Sequence, residues 1–139
     1  MTAAFLWAQL EEAQSITQNR LNSWNRYHQA LEGLESTGAV RRPIVPANCT
    51  HNAHMYYILL APGIDRQRTL DKLKLDNVYS VFHYVPLHSS PAGLRYGHTH
   101  GAMTNTDILS ERLIRLPLWM GLSEDQLTHI VDSLHRALS

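Results

Sequence analysis

Apolar residues recur at a helical period through the first third of the chain: Leu6, Leu10, Ala13, Ile16, Leu21, Trp24, Tyr27, Leu31 and Leu34. Gly33 and then Thr37-Gly38 end the run. A straight helix of that length, at ~1.5 Å per residue, reaches roughly 45 to 50 Å. A compact domain of this size is very roughly 37 Å across. The helix therefore kinks, or part of it rests on something outside this chain. Phe5, Leu6 and Trp7 make its start bulky and apolar, and the plainer expectation is that this end folds back onto the core. Downstream the period changes. "RRPIVPANC" is a proline-marked extended connection, and "AHMYYILLA" at 53–61 reads as a strand between Asn52 and Pro62-Gly63. Asp65 caps a short helix, "RQRTLDKLK", with Leu70 and Leu73 inward. Val78, Ser80, Phe82 and Tyr84 alternate with Tyr79, Val81 and His83, which predicts a second strand over 77–85. Thr104 or Thr106 opens a further helix through Ile108, Leu109 and Leu113. "RLIRLPLW" closes as helix or as an edge strand, since Pro117 is excluded from a central one. Ser123 and Gln126 form a capping box for an amphipathic last helix with Leu127, Ile130, Val131, Leu134 and Leu138 on its apolar stripe. Few short strands among many helices define an α+β domain: a long N-terminal helix, then a small, mostly antiparallel sheet with helices.

Composition narrows the functional classes. With 139 residues, 44% of them hydrophobic, the chain fits one domain with a real core. Formal net charge is zero, and Arg41-Arg42 is the only basic pair, so a nucleic-acid partner is not expected. No apolar run approaches the ~20 residues of a membrane span. "MTAAFLWAQLEEAQ" lacks the basic start of a secretory signal, and Cys49 is the single cysteine, so a cytoplasmic protein without disulfides is expected. Asn48-Cys49-Thr50 then matches the glycosylation pattern by chance.

The candidate chemistry is concentrated in "VFHYVPLHSSPAGLRYGHTHG", residues 81–101, which holds four histidines around a loop broken by proline and glycine. Imidazoles and Arg95 can donate hydrogen bonds to phosphate oxygens, and Gly93 and Gly97 let the backbone come close. A metal site would rest on His98-Thr99-His100 with His88. Zinc needs three or four ligands in tetrahedral reach, and the nearest acid, Asp107, follows a turn, so no metal is expected. The plain reading also stands: His83 is a hydrogen-bonded strand residue, and His-x-His on a loop is usually solvated. His28, His51, His54, His129 and His135 read as surface or satisfied core residues. Trp7, Trp24 and Trp119 read as core or interface packing.

Three segments carry a resemblance. "NAHMYYILL", "FHYVPLHSSPAGLRYG" and "SERLIRLPLWMGLSEDQ" resemble the C-terminal small domain of the DegT/DnrJ/StrS family of pyridoxal-phosphate-dependent sugar-nucleotide aminotransferases. The branch most similar aminates dTDP-4-keto-6-deoxyglucose. "AAFLWAQLEEAQSITQNRLNSWNRYHQAL" is similar to the family's helix bridging large and small domains. The resemblance implies a bridging helix over 1–36, a small domain over 37–139, and the small-domain fold of fold-type I aminotransferases. It implies substrate contacts from His83, Tyr84, His88, Arg95 and Tyr96, at a site completed by a second subunit of a homo-oligomer. It also implies a large domain, absent here, that supplies the Schiff-base lysine and the acid on the pyridinium nitrogen. Pyridoxal phosphate belongs to the full-length family; none is expected on this chain alone, and no residue here is expected to be catalytic. Lys72 and Lys74 lie together in a polar helix that would not desolvate an amine. Two other functions remain open: a stand-alone module that binds a nucleotide sugar or a partner without chemistry, and a histidine-loop metal protein.

Overall fold

The structure, a computed structural model, describes residues 2–139. The protein is α+β, with seven α-helices and one three-stranded sheet among the described residues. The N-terminal rod is α1 (Thr2–Glu11), α2 (Ala13–Ala30) and α3 (Glu32–Ser36). It is nicked at Glu12 and Leu31, where ψ rises to 5°. Backbone bonds such as Ile16 N–H to Glu12 O (2.9 Å) and Glu35 N–H to Leu31 O (3.1 Å) run through both nicks. Gly38, at φ +77°, turns the chain out of the helix. The rest is β1 (Val40–Arg41), β2 (Tyr56–Leu60), α4 (Arg66–Leu75), a 3₁₀ turn (Leu87–Ser89), α5 (Pro91–Tyr96), α6 (Thr104–Arg112), β3 (Leu113–Leu116) and α7 (Glu124–Leu138).

The sheet order is β1-β2-β3, antiparallel throughout, with Val40 opposite Leu60 and Ile58 opposite Ile114. Tyr56, Ile58 and Leu60 alternate onto one face of β2, each fully buried. They join Trp24, Tyr27, Leu31 and Leu34 from the rod and Leu127, Ile130, Val131 and Leu134 from α7 in one core. The capping box of α7 forms as read: Gln126 N–H donates to Ser123 Oγ (3.2 Å), and Ser123 N–H donates to Gln126 Oε1 (3.0 Å). Asp65 Oδ1 accepts from Arg68 N–H at 3.0 Å and starts α4. α4 is locked to α7 by Lys72 Nζ donating to Ala137 O (2.9 Å) and by the Arg136–Asp76 pair (2.7 Å). That guanidinium holds the Asp76 carboxyl below the usual carboxylate range. None of the helices among the described residues is long and apolar enough to cross a membrane.

Two expectations need correction, and one open alternative is decided. Residues 77–85 form no strand. Only Val81 bridges to Arg115, while Asn77 (φ 61°) and Tyr84 (φ 38°) leave extended geometry and Pro86 has no N–H to offer. The alternation was real, but its partner β3 is four residues long and ends at Pro117. "RLIRLPLW" takes the edge-strand alternative: helix α6 runs to Arg112, and β3 begins at the next residue, at the end of the sheet order. Lastly, the N-terminal end does not fold back. α1 has no buried residue, and Phe5, Leu6, Trp7 and Leu10 are all more than half exposed.

Trp24 lies between two imidazoles, His28 stacked at 4.7 Å and His51 tilted at 4.5 Å. Tyr56 Oη stands 3.4 Å from His28 Nδ1, and Arg42 donates to the His28 carbonyl. Burial, and after it the charge of Arg42, push the His28 imidazole below its ordinary 6.5; Glu35 and Glu32 oppose this, and His51 adds to it. Arg42's backbone N–H (2.7 Å), with its guanidinium (2.6 Å), holds Glu35 below 4.5. Both groups bind fewer protons folded than unfolded. Stability is therefore complete above about pH 6.5 and falls with pH, first through His28 and then through Glu35. Urea unfolding across this range should show the decline starting near the histidine range, and His28→Gln should delay it to the carboxylate range. A wild-type midpoint flat down to pH 5 would contradict this.

Candidate functional site

The histidine loop is built outward from the lone Val81 bridge. After it, Tyr84 at positive φ and then Pro86 turn the chain into the 3₁₀ turn, and Ser90 caps α5. Ser90 Oγ accepts from Gly93 N–H at 3.0 Å and donates to Leu87 O at 2.8 Å. Pro91 fits the first position of α5, where no N–H is needed. α5 and the turn approach so closely that a Cβ on Gly93 would stand 1.6 Å from Leu87 O. Only glycine permits this contact.

The five expected substrate residues are not gathered into one pocket. His88 is half-buried, its side chain 18% exposed, and its Nε2 lies 2.9 Å from Asp107 Oδ1 on α6. With Nε2–H donating to the carboxylate, Nδ1 is left for another partner. His88 lines a hollow of about 340 Å³ with Gly93, Gly97 and His98. Tyr84 instead lines a hollow of about 200 Å³ with Arg66, Phe82, Asp107 and Glu111. The His88–Asp107 bond joins the two, one partner lining each. His83 is half-buried, its ring edge-on to Tyr84 at 5.0 Å, and its Nδ1 has neither solvent nor partner. Arg95 and Tyr96 pair with each other in solvent, the guanidinium 4.9 Å over the ring.

Arg66, Phe82 and Asp107 are the members that sequence reading missed. Arg66 donates to Ser110 O and sits 5.3 Å over the Phe82 ring. Nothing local signals Asp107 as the partner of His88, 19 residues away. His98 and His100 are exposed, and among the described residues no group of three His, Cys, Asp or Glu could hold a metal. Neither lysine fits a cofactor role. Lys72 is committed to the end of α7, and Lys74 lies in solvent. No chemical step through pyridoxal phosphate can be assigned to these residues.

The sheet, its covering helices and the loop hung from β3 define an aminotransferase-type small α+β unit. The chain belongs to the DegT/DnrJ/EryC1/StrS aminotransferase family, whose profile matches residues 1–135. An uncharacterized protein of Methanocaldococcus jannaschii is 25% identical over 135 residues, 94% of this chain and 34% of that protein. The aminotransferase TlmJ from Streptoalloteichus hindustanus is 26% identical with a TM-score of 0.80, over 94% of this chain and 34% of TlmJ. A DegT DnrJ EryC1 StrS aminotransferase from Brucella abortus is 25% identical with a TM-score of 0.82, over 96% of this chain and 34% of that one. The chain thus spans about a third of the length of the relatives it matches.

Proposed function

We propose that this chain is the small-domain share of a pyridoxal-phosphate-dependent sugar-nucleotide aminotransferase. The parent reaction moves an amino group from glutamate to a dTDP-4-keto-6-deoxy sugar. In this reading residues 37–139 are the small domain and 1–36 bridge to a large domain that holds the cofactor and its lysine. His83, Tyr84, His88, Arg95 and Tyr96 face the nucleotide sugar, at a site shared across a homodimer in the cytoplasm. One observation carries it: Asp107 clamps the His88 imidazole at the rim of a glycine-lined hollow, with Nδ1 left for a ligand. In its protonated form the imidazole held by Asp107 keeps an Nδ1–H to donate to a diphosphate oxygen, beside backbone that a ligand can approach. The other reading, binding without chemistry by this chain, draws support from the commitment of Lys72 to Ala137.

The test is saturation-transfer NMR of the chain with dTDP, UDP and inorganic phosphate. Transfer to dTDP is expected, and His88→Ala should weaken it roughly tenfold, the worth of one hydrogen bond to a charged group. Undiminished transfer in the variant would refute the role given to His88.

A further inference from the structure

Where β3 gives way to Pro117, two hollows adjoin. One, of about 400 Å³, has Val78 and Ile130, both buried, beneath it, and Tyr79 and Trp119 as exposed aromatic walls. The His129 ring beside it is fixed, with Nε2 2.8 Å from Asp76 O. The second, of about 160 Å³, is lined by Arg115 and His54 together with apolar groups. Tyr79 and Pro117 line both, and no Asp or Glu lines either. Neither hollow shares a lining residue with those of the histidine loop.

Arg115 is the unusual member. Its backbone N–H and carbonyl are both bonded to Val81. Its side-chain Nε is shut from solvent, yet no acceptor among the described residues reaches it, and none of their carboxylates pairs with it. Two carbonyls lining this region are already taken: His54 O by Arg20 (2.7 Å) and Pro117 O by Tyr27 Oη–H (2.8 Å). An N–H donor shut from water without a partner is costly, and natural proteins keep few of them. Beside it stand two rings whose flat faces suit another flat ring.

We propose that this trough is a second ligand site, for a small amphipathic anion. The ligand is a flat unsaturated ring bearing one carboxylate or phosphate. The ring lies on Tyr79 and Trp119, and the anionic group reaches Arg115. The guanidinium fork fits either oxyanion, and the apolar walls exclude a bare inorganic ion.

The experiment titrates the ¹⁵N-labelled chain with 3-phenylpropionate, phenyl phosphate and the neutral 3-phenylpropan-1-ol, following the Trp119 indole N–H. At least one anion should shift that signal and bind more tightly than the alcohol; the better of the two identifies the oxyanion. Arg115→Met, which keeps the stem and removes the fork, should weaken anion binding about tenfold or more and leave the alcohol unchanged. Arg115→Lys should retain part of the preference. Should Arg115→Met fail to fold, exposed Trp119→Ala serves instead, followed through the Tyr79 backbone N–H at the same trough, and must weaken anion binding. Equal binding of alcohol and anions, an Arg115→Met variant that binds like wild type, or no shift into the millimolar range would overturn the proposal.

Discussion

Gly93→Ala is expected to dismantle the turn that carries His88 while the sheet and its helices stay folded. The added methyl would sit 1.6 Å from the Leu87 carbonyl oxygen and 2.7 Å from its carbon. Both are backbone atoms, so no side chain can swing aside. Either α5 or the 3₁₀ turn must move, and the bonds of Ser90 to Gly93 and to Leu87 go with it. No residue of the 3₁₀ turn, α5 or α6 is buried, so the core does not feel the loss. Amide exchange should accelerate over residues 87–97 with little change in the urea midpoint. Binding at His88 should fall by more than about tenfold, since the imidazole loses its bearing. Gly33 is the control, because a Cβ there meets nothing within 4 Å and its helix gains from alanine by ~0.5–1 kcal/mol. A Gly93→Ala chain that exchanges and binds like wild type would show the loop to be looser than its contacts.

Tyr56→Ala should produce the largest loss of stability, about 3 to 5 kcal/mol. Tyr56 is fully buried at the middle of the sheet, with its ring 5.3 Å from Trp24 and 5.1 Å from Tyr27. Removing it opens a cavity between the rod and β2, where backbone on both sides resists collapse. The hydroxyl is a smaller matter. Burial raises its pKa far above the usual phenol value, and its nearest partner, His28 Nδ1, is 3.4 Å away. Tyr56→Phe should therefore cost much less than Tyr56→Ala in the same urea assay. Equal losses would mean that the polar contact, not the ring, holds this junction.

Local chemistry was legible and long-range closure was not. Ser123 and Asp65 announce α7 and α4 because a cap is satisfied within three residues. "MYYILL" reads as the buried strand because aromatic and branched residues crowd it between turn formers. Residues 77–85 carry the same alternation, yet the ladder depends on the length of a partner more than 30 residues on, which periodicity does not encode. The "HYVPLHSSPAG" run singled out this loop, but not that His88 and Tyr84 would line different hollows. Asp107, seen only as an acid beyond a turn, proved to be the clamp that connects them. In α1 the apolar spacing gave the helix correctly, but spacing says nothing about what, if anything, covers it.

The smallness of the sheet has its own consequence. One border is the two-residue β1, and the other carries the single Val81 rung and stops at Pro117. Hardly any open ladder is left for a foreign strand to extend. Phe5, Leu6, Trp7 and Leu10 put a greasy surface on a helix instead, so contacts made through α1 should give reversible clumps that dissolve on dilution, not fibrils that grow by templating.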